Sequence, residues 1–158
     1  MGPDERATRQ CVLALFASAD DRRDLDSALQ CSRWERHFAL TPEEFAGVAG
    51  MHQIDVLMTD SVLCDGRSWK DLLQLLRAAD DAPPLIVADR LGDERLWAEL
   101  LNLGAYDLIM TPFDQRELLH VLSNAYRYRR RDLQPSDAHK TAERAFHDSL
   151  SIATANAA

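Results

Sequence analysis

Asp60 follows directly on an apolar run, in the stretch IDVLMTD that spans residues 54–60. A carboxylate at such a place can ligate a hard metal ion or act as a general acid or base. Asp89 follows the apolar run PLIVA in the same way. One alternative is therefore a small α/β enzyme in which Asp60 and Asp89 act as an acid/base pair and exchange protons with a substrate.

The other reactive side chains form no familiar catalytic or metal-binding pattern. There is no Gly-rich phosphate loop and no G-x-S-x-G nucleophile motif. Cys11, Cys31 and Cys64 include no close pair, which favours reduced thiols over a disulfide frame or a zinc knuckle. Cys64 lies close to Asp60 in the sequence, so a redox thiol stays open there. The histidines also lack metal-ligand spacing, and they are His37, His52, His120, His139 and His147. We therefore expect no metal ion and no cofactor.

The composition is that of one soluble domain with a tail. Of 158 residues, 46% are apolar and 28% are charged, and the net charge of −8 disfavours nucleic acid as a partner. No apolar run approaches the ~18 residues of a membrane span, and the polar N-terminus MGPDERATRQ does not resemble a signal peptide. We expect a cytoplasmic protein that binds neither nucleic acid nor membrane.

Five short apolar runs alternate with helical patterns and predict the strands of a parallel sheet. The runs are mostly continuous, which is typical of strands buried on both faces. They cover residues 11–17, 37–40, 54–59, 84–88 and 107–111. Strand and helix alternating five times with short connections predicts a doubly wound α/β fold with helices on both faces of the sheet. In such sheets the ligand crevice lies at the carboxyl ends of the strands, where Asp60 is predicted to lie.

Several helix ends carry their own signals. Residues 41–44, TPEE, combine an N-cap, a first-turn proline and a capping-box acid. Gly104 predicts the end of the fourth helix, and Asp114 with Glu117 predicts the start of the fifth. Asp20 and Asp21 are expected to cap the first helix. Its predicted apolar side consists of Leu25, Ala28, Leu29 and Ser32.

Over residues 11–131 the chain resembles the receiver domain of two-component response regulators. IDVLMTD resembles the third strand of that family, which ends in the phosphorylated aspartate, so this role maps to Asp60. PLIVADRLGDE resembles the fourth strand and the helix start after it, and LGAYDLIMTPFDQRELL resembles the fifth strand and last helix. The resemblance implies a five-stranded flavodoxin-like receiver fold. Outside it lie an extension at 1–10 and a tail at 132–158, in which the residues themselves suggest a short, weakly amphipathic helix.

The chain departs from the family pattern at the positions that bind metal and phosphate. The acidic pair that holds Mg²⁺ maps to Phe16 and Ala17, and the family lysine maps to Thr111. The switch Ser or Thr maps to Asp89, or to Ala88 if the register slips by one. The candidate pocket around Asp60 thus consists of Phe16, Ala17, Val62, Asp89 and Thr111.

These departures bear on phosphoryl transfer, because a metal ion and a lysine ordinarily neutralise the charge that builds up when a phosphate approaches a carboxylate. We therefore expect a degenerate, non-enzymatic receiver that acts in bacterial signalling through protein contacts, independently of phosphorylation. One alternative is a receiver phosphorylated on Asp60 by a histidine kinase, with Mg²⁺ held by Asp20 or Asp21. Another is a receiver fragment of a longer regulator.

The resemblance also implies a signalling face from the fourth helix to the fifth, residues 93–130. Aromatic side chains are enriched at interfaces, and those predicted for this face are Trp97, Tyr106, Tyr126 and Tyr128. A histidine kinase, another regulator or a second copy of the chain is the expected partner. The arginines of AYRYRRR, residues 125–131, offset the dipole at the end of the helix or contact an acidic partner.

Overall fold

The structure, a computed structural model, describes residues 9–51, 54–63, 65–77 and 82–132. Several sequence predictions fall outside these ranges. They concern most of the N-terminal extension, Cys64, His52, and the tail from residue 133 with its two histidines.

Five parallel strands form one sheet in the order β2-β1-β3-β4-β5. The strands are β1 (Gln10–Leu15), β2 (Trp34–Phe38), β3 (Val56–Asp60), β4 (Leu85–Asp89) and β5 (Asp107–Met110). The helices are α1 (Ala19–Leu29), α2 (Pro42–Met51), α3 (Trp69–Arg77), α4 (Glu94–Leu103) and α5 (Gln115–Asp132). This confirms the predicted doubly wound, flavodoxin-like α/β fold. No helix within the described ranges is both long and apolar enough to cross a bilayer.

The core has two layers because successive side chains of a strand point to opposite faces of the sheet. Val12 and Ala14 face α1 and α5, whereas Leu13 and Leu15 face α2 and α3. On the second face, α4 adds Leu100 to a smaller cluster with β4. The central strands are therefore buried on both sides, which is why they appear as continuous apolar runs in the sequence.

The prediction for the second strand was wrong in position: β2 begins at Trp34 and ends at Phe38, not at residues 37–40. This strand lies at the edge of the sheet, pairs only with β1 and is only partly covered. Its sequence WERHF therefore mixes apolar and charged residues and lacks the continuous apolar run of a central strand. The first strand also ends earlier than predicted, so Phe16 and Ala17 belong to the connection to α1.

The N-cap predicted at Thr41 is confirmed, whereas the side chain of Glu44 bonds to the amide before the cap and not to the amide of Thr41 that a capping box would use. The Glu44 amide donates to Oγ1 of Thr41 at 3.1 Å, and Oε2 of Glu44 accepts from the Leu40 amide at 3.2 Å. At the start of α5, Oδ1 of Asp114 accepts from the amide of Glu117 at 3.3 Å, as its spacing predicted. The bonds of the Glu44 and Glu117 amides satisfy donors in the first turns of their helices that the helices themselves leave unpaired.

The ends of α1 differ from the prediction, whereas the end of α4 agrees with it. Ser18, not Asp20 or Asp21, is the N-cap of α1, and it accepts from the Asp21 amide at 3.4 Å. The helix ends at Leu29, so Ser32 lies beyond it and its hydroxyl donates to the Leu29 carbonyl at 2.7 Å. Gly104 closes α4 in the left-handed region with φ of 100°, which favours glycine.

Candidate functional site

Asp60 is the last residue of β3 and lies at the carboxyl edge of the sheet, beside Ala88 of β4. Its carboxylate is partly buried, and Oδ2 accepts a hydrogen bond of 2.8 Å from the backbone N–H of Ala17. The connection after β1 thus lies against the candidate phosphoacceptor. At this point Ala17 presents a backbone donor, whereas the family pattern implies a carboxylate.

The electrostatic surroundings raise the pKa of Asp60 to about 6. Burial is the largest cause, because it disfavours the charged form. The Ala17 amide opposes this rise, the nearby charges of Asp21 and Asp89 add to it, and Arg90 opposes it more weakly. Like-charge repulsion from Asp89 is therefore a smaller cause than burial.

The carboxylate of Asp89 accepts hydrogen bonds from the turn that follows β4 and from Ser61. Its Oδ1 accepts from the amides of Leu91 at 2.8 Å and Gly92 at 3.2 Å, and its Oδ2 accepts from the hydroxyl of Ser61. The preceding residue, Ala88, is buried in the core cluster. The structure thus places Asp89, rather than Ala88, at the mouth of the sheet, with its carboxylate bonded to the Ser61 hydroxyl and to two amides of its own turn.

Phe16 and Thr111 line the inner side of this region without adding charge. Phe16 is 2% exposed and packs on Phe113, with ring centroids 5.9 Å apart. Thr111 is buried, and its amide donates to the carbonyl of Asp89 at 3.1 Å. The aromatic pair fills the space between the start of α1 and the start of α5.

Lysine is rare in this chain, which contains only Lys70 and Lys140. Lys70 forms an ion pair with Glu99 between α3 and α4, and Lys140 lies outside the described residues. Within the described part of the chain, the cation that acts on the pKa of Asp60 is Arg90. No ion pair among the described residues joins these two side chains.

Val62 lies on the rim of the site rather than inside it. Its side chain is exposed, and its backbone forms an isolated bridge with Ser68 that closes the loop after β3. Arg67 secures this loop by ion pairs to Asp65 at 2.7 Å and to Glu43 of α2 at 2.8 Å. The loop is thus tied to the helix beside it.

The acids in the first two turns of α1 have different partners. Asp20 is exposed and pairs with Arg23 at 2.8 Å, whereas the charge of Asp21 acts on Asp60. Asp24, which the sequence analysis missed, accepts the amide of Phe113 at 2.7 Å and so joins α1 to the connection before α5. These residues are 89 positions apart, so no local pattern could have indicated the bond.

Three of the four predicted aromatic residues of the signalling face lie near α4, β5 and α5. Nε1 of Trp97 donates to Oδ1 of Asp107 at 3.4 Å, and the rings of Tyr106 and Tyr128 lie 5.3 Å apart. Trp97 is 37% exposed and Tyr128 is 40% exposed. Both therefore offer aromatic area to another molecule.

Tyr126 does not share this surface. It packs edge-on against Trp34 of β2, with ring centroids 6.3 Å apart, because residues two positions apart on a helix point to different sides. Arg130 lies 5.2 Å above the Tyr126 ring. The charges of Arg129 and Arg130 also lower the pKa of Asp55, although burial raises it more. Part of the arginine cluster therefore has partners within the fold.

A second group of reactive side chains lies on β1 and the edge strand β2, away from Asp60. Cys11 of β1 is in register with Glu35 of β2, and His37 is two residues further along β2, on the same face. Sγ of Cys11 lies 3.8 Å from Oε2 of Glu35, and Nε2 of His37 lies 3.2 Å from Oε1 of Glu35. Sequence spacing could not indicate this grouping, because it depends on which residues β1 and β2 place side by side.

The comparisons with known proteins bear on the fold. No protein-family model matches the sequence, and no curated protein matches it. The chemotaxis response regulator CheY4 of Vibrio cholerae is 21% identical with a TM-score of 0.66, over 75% of this chain and 99% of that chain. A signal receiver domain of an HD domain-containing protein from Pseudomonas fluorescens is 20% identical with a TM-score of 0.69, over 78% and 91%. A two-component response regulator from Clostridium difficile is 19% identical with a TM-score of 0.65, over 75% and 96%. The chain therefore has the fold of receiver domains.

Proposed function

We propose that this chain is a degenerate receiver that works in two-component signalling through protein contacts, without phosphoryl transfer to Asp60. The observation that carries the proposal is the contact between the Ala17 amide and Oδ2 of Asp60, beside the buried Phe16 ring. In the family pattern this connection carries the acids that hold the metal ion. We also propose a cytoplasmic location and no enzymatic activity of its own.

The side chains around Asp60 do not fit Mg²⁺ well. This ion demands near-octahedral oxygen coordination at about 2.0–2.1 Å. Phe16 supplies no oxygen, Asp89 is bonded to Ser61 and to two amides of its own turn, and one oxygen of Asp60 accepts from Ala17. We therefore assign no step to a metal ion here.

The cation expected beside the phosphoryl group is also replaced. Thr111 stands at the position of the family lysine, and the charge of Arg90 only weakly opposes the rise in the pKa of Asp60. Loss of one preorganised partner of a charged transition state costs about 3–4 kcal/mol, and each ~1.4 kcal/mol is tenfold in rate. The loss of several such partners would therefore make the phosphorylation of Asp60 too slow to matter on the timescale of a signal.

Exposed aromatic side chains support a role in protein contacts. Trp97 and Tyr128 present ring surface on the side of the molecule formed by α4, β5 and α5. Tyrosine and tryptophan are common anchors of protein interfaces. The partner that we propose is a histidine kinase, another regulator or a second copy of this chain.

One observation favours the alternative of a phosphorylatable receiver. Asp21 lies in the first turn of α1 and close enough to Asp60 for its charge to raise the pKa of that acid. A divalent cation would be attracted to two such carboxylates. Asp20 is a weaker candidate, since it pairs with Arg23.

Phosphorylation by a small donor separates the two possibilities. The protein is incubated with Mg²⁺ and acetyl phosphate and its intact mass is measured, beside Asp60→Ala and Asp21→Ala. We expect no gain of a phosphoryl-sized mass in any of the three. An Ala17→Asp/Thr111→Lys variant, which restores one acid and the lysine, serves as the reference for donor competence.

A mass gain that requires both Mg²⁺ and Asp60 would contradict the proposal. Loss of that gain in Asp21→Ala would establish the alternative. A saturable, Mg²⁺-dependent response to beryllofluoride in tryptophan fluorescence would contradict the proposal as well.

A further inference from the structure

We propose that Cys11, Glu35 and His37 form a binding site for a thiophilic divalent metal ion, with Zn²⁺ as the ion that suits it best. The site lies on β1 and β2, on the face of the sheet covered by α2. It is independent of the chemistry at Asp60, and neither proposal depends on the other.

The three side chains converge on one point. One ligand atom from each, namely Sγ of Cys11, a carboxylate oxygen of Glu35 and an imidazole nitrogen of His37, lies within 4.8 Å of the other two. Zinc bonds of about 2.0–2.3 Å in a tetrahedron place ligand atoms about 3.3–3.8 Å apart. Sγ lies 3.8 Å from Oε2 of Glu35 and Nε2 of His37 lies 3.2 Å from Oε1, so each nitrogen or sulfur atom is already at such a distance from one of the two carboxylate oxygens. Small side-chain rotations therefore suffice to close the site.

The mixture of ligands selects the metal. Thiolate and imidazole favour Zn²⁺ and its neighbours over Mg²⁺ and Ca²⁺, which prefer oxygen. When Sγ binds the metal, the thiol proton passes to solvent. Three protein ligands leave the fourth tetrahedral position to water.

The surroundings supply negative charge that a cation would offset. The carboxylates of Glu35 and Asp55 both lie against Cys11, with Oε2 of Glu35 3.8 Å from Sγ and Oδ2 of Asp55 2.9 Å from the amide nitrogen. A divalent ion at the centre of this group would be attracted by the same two carboxylates.

The backbone holds the ligands in place. The Cys11 amide donates to Oδ2 of Asp55 at 2.9 Å, and the Asp55 amide donates to the Cys11 carbonyl at 2.9 Å. Glu35 and His37 lie within the parallel ladder between β1 and β2. Ligands on paired strands are held more precisely than ligands on loops. A bound ion would also join the edge strand to its neighbour through side chains.

Cobalt(II) is the probe for the test, because a thiolate-to-cobalt charge-transfer band reports a sulfur ligand. The full chain, reduced with a phosphine, is titrated with Co²⁺ and then with Zn²⁺. We expect one Co²⁺ per chain with that band, its displacement by Zn²⁺, and a higher melting temperature with Zn²⁺.

Matched variants assign the ligands. Cys11→Ser should abolish the charge-transfer band. Glu35→Gln and His37→Gln should each weaken Co²⁺ binding about 10–100-fold or more, because even the loss of a second-shell partner has an effect of that size. Cys31→Ser and His120→Gln, at exposed positions outside the cluster, should bind as the wild type does. Circular dichroism checks that each variant is folded, and Glu35→Gln and His37→Gln carry the test if Cys11→Ser does not fold.

Three results would overturn the proposal. One is the absence of stoichiometric Co²⁺ binding by the wild-type chain. Another is a charge-transfer band that persists in folded Cys11→Ser, which would point to another thiol. The third is an affinity that Glu35→Gln and His37→Gln both leave unchanged.

Discussion

The backbone N–H of Ala17 donates a hydrogen bond of 2.8 Å to Oδ2 of Asp60 and so joins the end of β1 to the end of β3. A bond of this kind favours the ionised carboxylate, yet the pKa of Asp60 is raised to about 6 because burial outweighs it. The acid at the mouth of the sheet is therefore held by the fold in a state that resists ionisation.

Replacing Asp60 by Asn should stabilise the fold near neutral pH. The pKa of Asp60 is raised from 3.8 to about 6, so its favourable contribution is complete below pH 4 and is lost as the pH rises through 6. Asn cannot ionise and still offers an oxygen to the Ala17 amide. After a discount for solvent screening, we expect Asp60→Asn to gain about 1 kcal/mol at pH 7.5 relative to its effect at pH 4.

Urea melts at the two pH values measure this difference in the free energy of unfolding. A marked loss of stability in Asp60→Asn at pH 7.5 would contradict the prediction. It would indicate that Arg90 pairs with the ionised carboxylate in solution. Repulsion from Asp21 and Asp89 raises the pKa of Asp60 less than burial does. Asp21→Asn should therefore lower that pKa only part of the way back to its ordinary value.

Trp97→Ala and Tyr128→Ala should each weaken self-association or partner binding, because these are the exposed aromatic rings of the proposed signalling face. Truncation of an interface anchor costs about 2 kcal/mol or more, which is roughly a thirtyfold loss of affinity. Sedimentation and pull-down assays measure the effect. Leu40→Ala is the control, since Leu40 is more exposed than either ring but lies before α2. Unchanged association in both folded aromatic variants would exclude this surface.

Asp24→Ala should destabilise the fold by about 1–2 kcal/mol, because the amide of Phe113 would lose its acceptor. Asp24→Asn keeps an oxygen and should cost less. On the same helix, Asp26 is exposed and forms an ion pair with Arg36, so Asp26→Ala should cost about 1 kcal/mol or less. Equal losses for the two alanine variants in thermal melts would show that the bond to Phe113 adds nothing.

Thr41→Ala should remove about 1 kcal/mol of stability by deleting the acceptor of the Glu44 amide at the start of α2. Thr41→Ser retains that oxygen and should remain within a few tenths of wild type. The comparison by chemical denaturation isolates the cap from any change in helix propensity. If the serine variant loses as much as the alanine variant, the methyl group rather than the hydrogen bond is responsible.

The features that could be predicted depend on residues close together in the chain. The N-cap at Thr41, the left-handed Gly104 and the cap at Asp114 each involve residues no more than four positions apart. The central strands are buried on both faces, and this leaves a continuous apolar run in the sequence. Asp60 could be placed because it directly ends such a run. The edge strand that begins at Trp34 was misplaced because it is only partly covered and so lacks a continuous apolar run.

By itself, the sequence determined the fold class, the order of strands and helices and the position of Asp60 at the carboxyl edge of the sheet, because period and caps are local properties. The tertiary structure decided which residues become neighbours across the sheet. It bonded Asp89 to Ser61 and brought Cys11 beside Glu35 and His37. Such contacts follow from strand register and helix rotation, which are set when the whole core packs and cannot be inferred from spacing along the chain.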